Sequence, residues 1–128
     1  MSGAATVLIV EDEFAIADLL ELVLTDEGYT VVLAGNGRQG LERLAEGPLP
    51  DLVISDYMMP VLDGVGLIRA MQENEAQRGI PCVVMTSMPE SVIRSRITGY
   101  AAYVQKPFQL AAMVQLVTSI LDGPQAKE

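Results

Sequence analysis

Five short apolar runs punctuate this chain, and each stops abruptly at a polar residue or a turn. Val7 to Val10 ends at Glu11 and Asp12, and Thr30 to Ala34 forms the second run. Leu52 to Ser55 ends at Asp56, Cys82 to Met85 ends at Thr86, and a weaker run, Ala101 to Val104, stops just before Lys106. Apolar runs without polar alternation suit strands that are covered on both faces, as in a parallel sheet.

Helical patterns fill the intervals. Ile16, Leu19, Leu20, Val23 and Leu24 recur at i, i+3, i+4, i+7 and i+8, which predicts one buried stripe, with Gly28 as the stop. Asn36 is placed to cap a helix through Ala45, and Gly47, Pro48 and Pro50 then break the chain. A third helix is expected from about Gly64 to Asn74, a short fourth over Glu90 to Ile97, and a fifth over Gln109 to Leu121. Leu110, Met113, Val114, Val117 and Leu121 share a stripe of the fifth, and Gly123 and Pro124 end it. Five βα units in succession predict an open α/β sheet with helices on both faces. The 128 residues hold no evident linker, internal repeat or low-complexity tract. One domain is therefore expected, with its core over about residues 6–121 and a loose polar tail at 122–128.

Charge narrows the partners. Seventeen acidic residues against eight basic give a net of −9, which argues against direct nucleic-acid binding and against anionic membrane surfaces. No apolar run approaches the roughly 20 residues of a membrane span. Met1 to Thr6 lacks the basic start and apolar core of a secretory leader, and Cys82 is the only cysteine. A cytoplasmic, reducing location is the expectation.

Ligands of open α/β sheets bind beyond the carboxyl ends of the strands. Here those ends carry Glu11, Asp12, Asp56, Thr86 and Lys106. Clustered carboxylates repel one another and call for a cation. Mg²⁺ takes oxygen ligands, and the chain has no histidine, which disfavours zinc. A carboxylate can accept a phosphoryl group, and that transfer needs a cation and fixed donors around the phosphoryl oxygens. Asp12 and Glu11 would hold the metal, Thr86 would donate to one phosphoryl oxygen and Lys106 would pair with another.

These motifs, in this order, resemble the receiver domains of bacterial response regulators. The resemblance runs from about Thr6 to Leu121. It is carried by Glu11-Asp12, by Asp56-Tyr57-Met58-Met59-Pro60, by Asp63-Gly64, by Thr86-Ser87 and by Lys106-Pro107-Phe108. It implies a five-stranded parallel sheet of order 2-1-3-4-5, with Asp56 as phosphoacceptor. It further implies Asp12, Asp56 and the Met58 carbonyl as direct ligands of Mg²⁺, with Mn²⁺ as a substitute, and Glu11 acting largely through water. Thr86 and Tyr103 would be a coupled switch pair, and the Lys106-Pro107 bond would be cis. The implied role is a phosphorylation-controlled signalling switch rather than a turnover enzyme. The implied donor is a sensor histidine kinase or a histidine phosphotransfer protein, and the output partner is unknown.

Some positions depart from the family. Glu11 stands where an aspartate is commoner, Ser87 where a small residue is usual, and the stretch from Met88 to Gly99 is slightly short. Met58 and Met88, two residues beyond Asp56 and Thr86, would neither orient nor activate water, so slow autodephosphorylation is expected. Met58 also stands where an aspartyl-phosphate phosphatase would place a general acid, which argues against that enzyme class. A receiver that binds partners without phosphorylation is the other alternative, and the complete acidic and basic set argues against it. Leu116 and Ile120 widen the apolar arc of the last helix. That suits either deeper burial at the sheet edge or a phosphorylation-dependent homodimer through the face made by the fourth helix, fifth strand and fifth helix.

Overall fold

The computed structural model describes residues 5–57 and 63–122. Its elements alternate: β1 (Thr6–Val10), α1 (Phe14–Asp26), β2 (Thr30–Ala34), α2 (Gly37–Glu46), β3 (Leu52–Asp56), α3 (Gly64–Gln72), β4 (Cys82–Thr86), α4 (Glu90–Arg94), β5 (Ala102–Gln105) and α5 (Leu110–Asp122). All strand pairs are parallel, and the order is β2-β1-β3-β4-β5.

The apolar runs are continuous because each strand feeds two cores. Leu8, Val10, Val53 and Val84 pack with Leu44, Leu67, Ile68, Met71 and Ile93 of α2, α3 and α4. The alternate residues Val7, Ile9, Leu52, Ile54, Val83 and Met85 pack with Leu20 and Leu24 of α1 and Met113 and Val117 of α5. Successive side chains point to opposite faces, so a strand buried on both sides shows no polar alternation. Leu116 and Ile120 lie partly buried against the second core.

The helix ends have local causes. Asn36 Oδ1 accepts the Gln39 N–H at 2.9 Å and caps α2, and Asp63 Oδ1 accepts the Gly66 N–H at 3.0 Å and caps α3. Gly28, at φ +98°, ends α1 in the left-handed conformation, with Tyr29 N–H on the Leu24 carbonyl and Gly28 N–H on that of Thr25.

Four expectations need correction. Leu19 is 48 % exposed and does not belong to the buried stripe of α1, where Ala17 takes its place. Leu19 lies about 100° round the helix from Leu20, outside the arc that faces the sheet. The fifth strand begins at Ala102 rather than Ala101, and its ladder runs to Gln105. Helices α3 and α4 stop short of Asn74 and Ile97, at Gln72 and Arg94. The Asn74 side chain accepts the Ala76 N–H at 2.9 Å, which turns the chain after α3. Beyond α4, Arg69 donates to the Arg96 carbonyl and Gln72 to the Thr98 carbonyl, each at 2.7 Å. Those carbonyls are held by side chains of α3 and not by a continuing helix. The expected tail at 122–128 lies, beyond Asp122, outside the described residues.

Candidate functional site

The carboxyl edge of the sheet gathers the polar residues. Asp56 and Thr86 are the last residues of β3 and β4, and Glu11 and Lys106 follow β1 and β5 directly. Backbone bonds at the ends of the ladders hold this edge together. Glu11 N–H bonds the Ala34 carbonyl at 3.0 Å, Tyr57 N–H the Met85 carbonyl at 2.8 Å, and Lys106 N–H the Thr86 carbonyl at 2.8 Å. Gly64 brings α3 against this edge: its N–H bonds the Tyr57 carbonyl at 2.9 Å, and a Cβ there would meet the Asp56 carbonyl oxygen at 2.8 Å.

One carboxylate oxygen from each of Glu11, Asp12 and Asp56 lies within 4.8 Å of the others. Glu11 and Asp56 are buried, whereas Asp12 is exposed at the mouth. The Lys106 ammonium stands 3.0 Å from Glu11 Oε1, 3.4 Å from Asp56 Oδ1 and 3.6 Å from Glu13 Oε1. Burial raises the Glu11 carboxyl above the usual carboxylate range, and Asp56 raises it further, while the Glu13 N–H and Lys106 oppose the shift. Burial alone would lower Lys106, but the hydrogen bond to Glu11 and the charges of Asp56 and Glu11 carry it above the ordinary lysine value. Crowded, partly desolvated carboxylates offering only oxygen fit a hard dication such as Mg²⁺ better than zinc.

The predicted residues do not all converge on one point. Glu11, Asp12, Asp56 and Lys106 form the cluster. Thr86 is buried at the end of the neighbouring strand, and its hydroxyl accepts the Met88 N–H at 3.1 Å. Tyr103 lies partly buried on the edge strand, and its hydroxyl donates to the Met88 carbonyl. The two are joined through Met88, whose side chain is partly buried against the first core. The Lys106-Pro107 peptide is cis. The Met58 carbonyl lies outside the described residues.

Two participants escape a reading of the sequence. Glu13 follows the acidic pair in plain view, but its approach to Lys106 depends on how the chain bends into α1. Gln105 reaches the Ser87 carbonyl at 3.4 Å, a contact set by strand register alone.

The sequence and the fold both have known relatives. The family described as response regulator receiver domain matches residues 7–118. The chain is 37% identical over 118 residues to an uncharacterized transcriptional regulatory protein of Bacillus subtilis, YkoG, with 90% of this chain and 50% of that protein covered. It is 32% identical over 117 residues to the DNA-binding response regulator MtrA of Mycobacterium tuberculosis, again covering 90% and 50%. It therefore spans about half the length of these relatives. Among solved structures, the receiver domain of a signal transduction histidine kinase from Syntrophus aciditrophicus superposes with a TM-score of 0.85 at 34% identity, over 98% of this chain and 96% of that one. The receiver domain of a sensor histidine kinase from Pseudomonas aeruginosa, which has a magnesium ion coordinated in its active-site cleft, gives 0.83 at 26% identity, over 93% and 98%. With the match running from the first strand into the last helix, the chain belongs to the family of response regulator receiver domains, the phosphoacceptor switches of two-component signalling.

Proposed function

We propose that Asp56 is the phosphoacceptor of a Mg²⁺-dependent switch and that Thr86 and Tyr103 carry its state to the surface. The observation that carries this reading is the meeting of three carboxylates and one ammonium at the carboxyl edge of the sheet. Asp12 and Asp56 would hold Mg²⁺, or Mn²⁺ in its place, together with the Met58 carbonyl. Glu11 would act through water, since its two oxygens already accept from Lys106 and from the Glu13 N–H. The ion, when bound, offsets charge on the transferring phosphoryl oxygens.

The chain's own groups do the rest. The Asp56 carboxylate is the nucleophile. Lys106, 3.4 Å from Asp56, pairs with a phosphoryl oxygen. The Thr86 oxygen accepts from Met88, which leaves its O–H free to donate to the phosphoryl group. That donation draws Thr86 and the Met88 segment inward, and Tyr103 follows through its bond to the Met88 carbonyl. The readout surface would be the face of α4, β5 and α5, where a homodimer or another partner docks.

The chain has no histidine, so the phosphoryl group comes from a sensor histidine kinase, a histidine phosphotransfer protein or a small phosphodonor. Phe14, 78 % exposed beside the acidic pair, and Leu22, 67 % exposed on the same helix, give a protein donor apolar surface to rest on. Contact with DNA, which the name MtrA carries for that relative, is not assigned to this chain because of its net charge of −9. Among the described residues no helix is long and apolar enough to cross a membrane, and the reading places the chain in the cytoplasm, where phosphoryl donors and free Mg²⁺ are available.

The test is intact mass after incubation with acetyl phosphate and Mg²⁺, with Asp56→Asn alongside. A single phosphoryl adduct on the wild type only, lost with EDTA, is expected. If neither this donor nor a kinase modifies a folded, Mg²⁺-binding wild type, the phosphoacceptor reading fails.

A further inference from the structure

We propose that Glu13 is a positioning residue for Lys106: it holds the ammonium toward the rim of the acidic cluster and receives it when a dication enters. This rests on the metal-dependent reading of the site.

Two independent features of Glu13 point the same way. First, it closes a ring with Glu11 and Lys106. Lys106 Nζ donates to Glu11 Oε1 at 3.0 Å, the Glu13 N–H donates to Glu11 Oε2 at 3.1 Å, and Glu13 Oε1 lies 3.6 Å from the same ammonium. Second, Glu13 occupies the N-cap of α1 in extended conformation but makes no side-chain cap bond. That position favours Ser, Thr, Asp or Asn, whose short side chains reach back to the helix N–H groups. Here the carboxylate is directed to Lys106.

Burial sets the direction of the pull. The Glu11 side chain is fully buried and that of Asp56 nearly so, whereas the Glu13 side chain is 64% exposed. The inner carboxylates draw the ammonium into the space a cation needs, and Glu13 draws it outward. A dication and an ammonium among the same carboxylates repel each other. Glu13 gives Lys106 a charged partner outside that space, from which it still reaches Asp56.

The test uses the full chain and two readouts. The first is the ammonium NMR signal of Lys106 in EDTA. Glu13→Gln and Glu13→Asp, the latter keeping charge but losing reach, are both expected to move it. Asp18→Asn is expected to leave it in place, because Asp18 lines a cavity with Asp12 but makes no ion pair with Lys106. The second is Mg²⁺ affinity by titration calorimetry. Both Glu13 variants are expected to bind about threefold more weakly than Asp18→Asn, the scale of an exposed ion pair. In a Lys106→Met background the difference should vanish. An unmoved Lys106 signal, or a Glu13 effect that persists without Lys106, overturns the proposal. If the wild type binds no Mg²⁺ while its Lys106 signal responds to Glu13, the metal reading falls and the part in which Glu13 receives the ammonium falls with it. The positioning of Lys106 then stands alone.

Discussion

Tyr103 holds Met88 by its backbone: the phenol donates to the Met88 carbonyl, across the gap between the edge strand β5 and the segment that follows β4. The Thr86 hydroxyl takes the N–H of the same residue at 3.1 Å. Both proposed switch residues thus grip one residue from opposite sides. Tyr103→Phe is expected to lower stability by about 1 kcal/mol, the net worth of one hydrogen bond, and to speed hydrogen exchange at the Met88 amide. Unchanged exchange there would show that the two residues are not coupled through Met88.

Gly64 sets how closely α3 approaches Asp56, the proposed phosphoacceptor. An added Cβ would lie 2.8 Å from the Asp56 carbonyl oxygen and 3.0 Å from the Tyr57 Cα, both backbone atoms that cannot swing aside. Gly64→Ala should cost about 1–3 kcal/mol, as overpacking does, and slow the phosphorylation of Asp56. At Gly79 an added methyl would meet nothing within 4 Å, so Gly79→Ala is the control. Equal urea midpoints for the two alanine variants would remove the steric argument.

Tyr57 is buried beside the site, and its hydroxyl has no hydrogen-bond partner among the described residues. A buried hydroxyl without a partner costs free energy that phenylalanine would not. Tyr57→Phe is therefore expected to raise stability by about 1 kcal/mol. A loss of that size in urea unfolding would mean the hydroxyl is bonded after all.

The fold was legible where local sequence and burial coincide. The two cores make Val7 to Val10 and Leu52 to Ser55 read as apolar runs, and the buried Glu11 and Asp56 mark where those runs give way to charge at the sheet's carboxyl edge. The cluster of Glu11, Asp12, Asp56 and Lys106 followed from strand ends and parallel order alone. The end of α4 was not legible, because Arg69 and Gln72 take the Arg96 and Thr98 carbonyls from across the structure. Leu19 misled for a simpler reason: a leucine next to a stripe looks like part of it until the helix is set against the sheet. The contacts of Glu13 and Met88 reach partners far along the chain, Lys106 and Tyr103, which no local pattern announces.

Cys82 carries a pH dependence of definite sign. Burial pushes its thiol up to about 11, from an ordinary value of 9.0. The unfolded thiol ionises first, so the folded state is favoured below pH 9.0 and that advantage is lost as pH rises through 9.0 toward about 11. The stability of the wild type minus that of Cys82→Ala should therefore fall across this window. A difference that stays flat would mean the thiol is not desolvated. At about pH 8 the native thiol should also react far more slowly with an alkylating reagent than it does in urea.

Asp12 should reverse its effect on stability with the metal. In EDTA it is one of three carboxylates held within 4.8 Å, partly offset by Lys106, and Asp12→Asn relieves repulsion. The variant should then be as stable as the wild type or more so. With free Mg²⁺ at about ten times its Kd the wild type gains about 1.4 kcal/mol by mass action. Asp12→Asn loses most of that gain, because a neutral amide is a poorer ligand than a carboxylate. The order of the two urea midpoints should therefore cross between EDTA and Mg²⁺. Parallel gains in both proteins would place the ion elsewhere, and no gain in either would leave the cluster without a metal role and shift the burden of charge balance to Lys106.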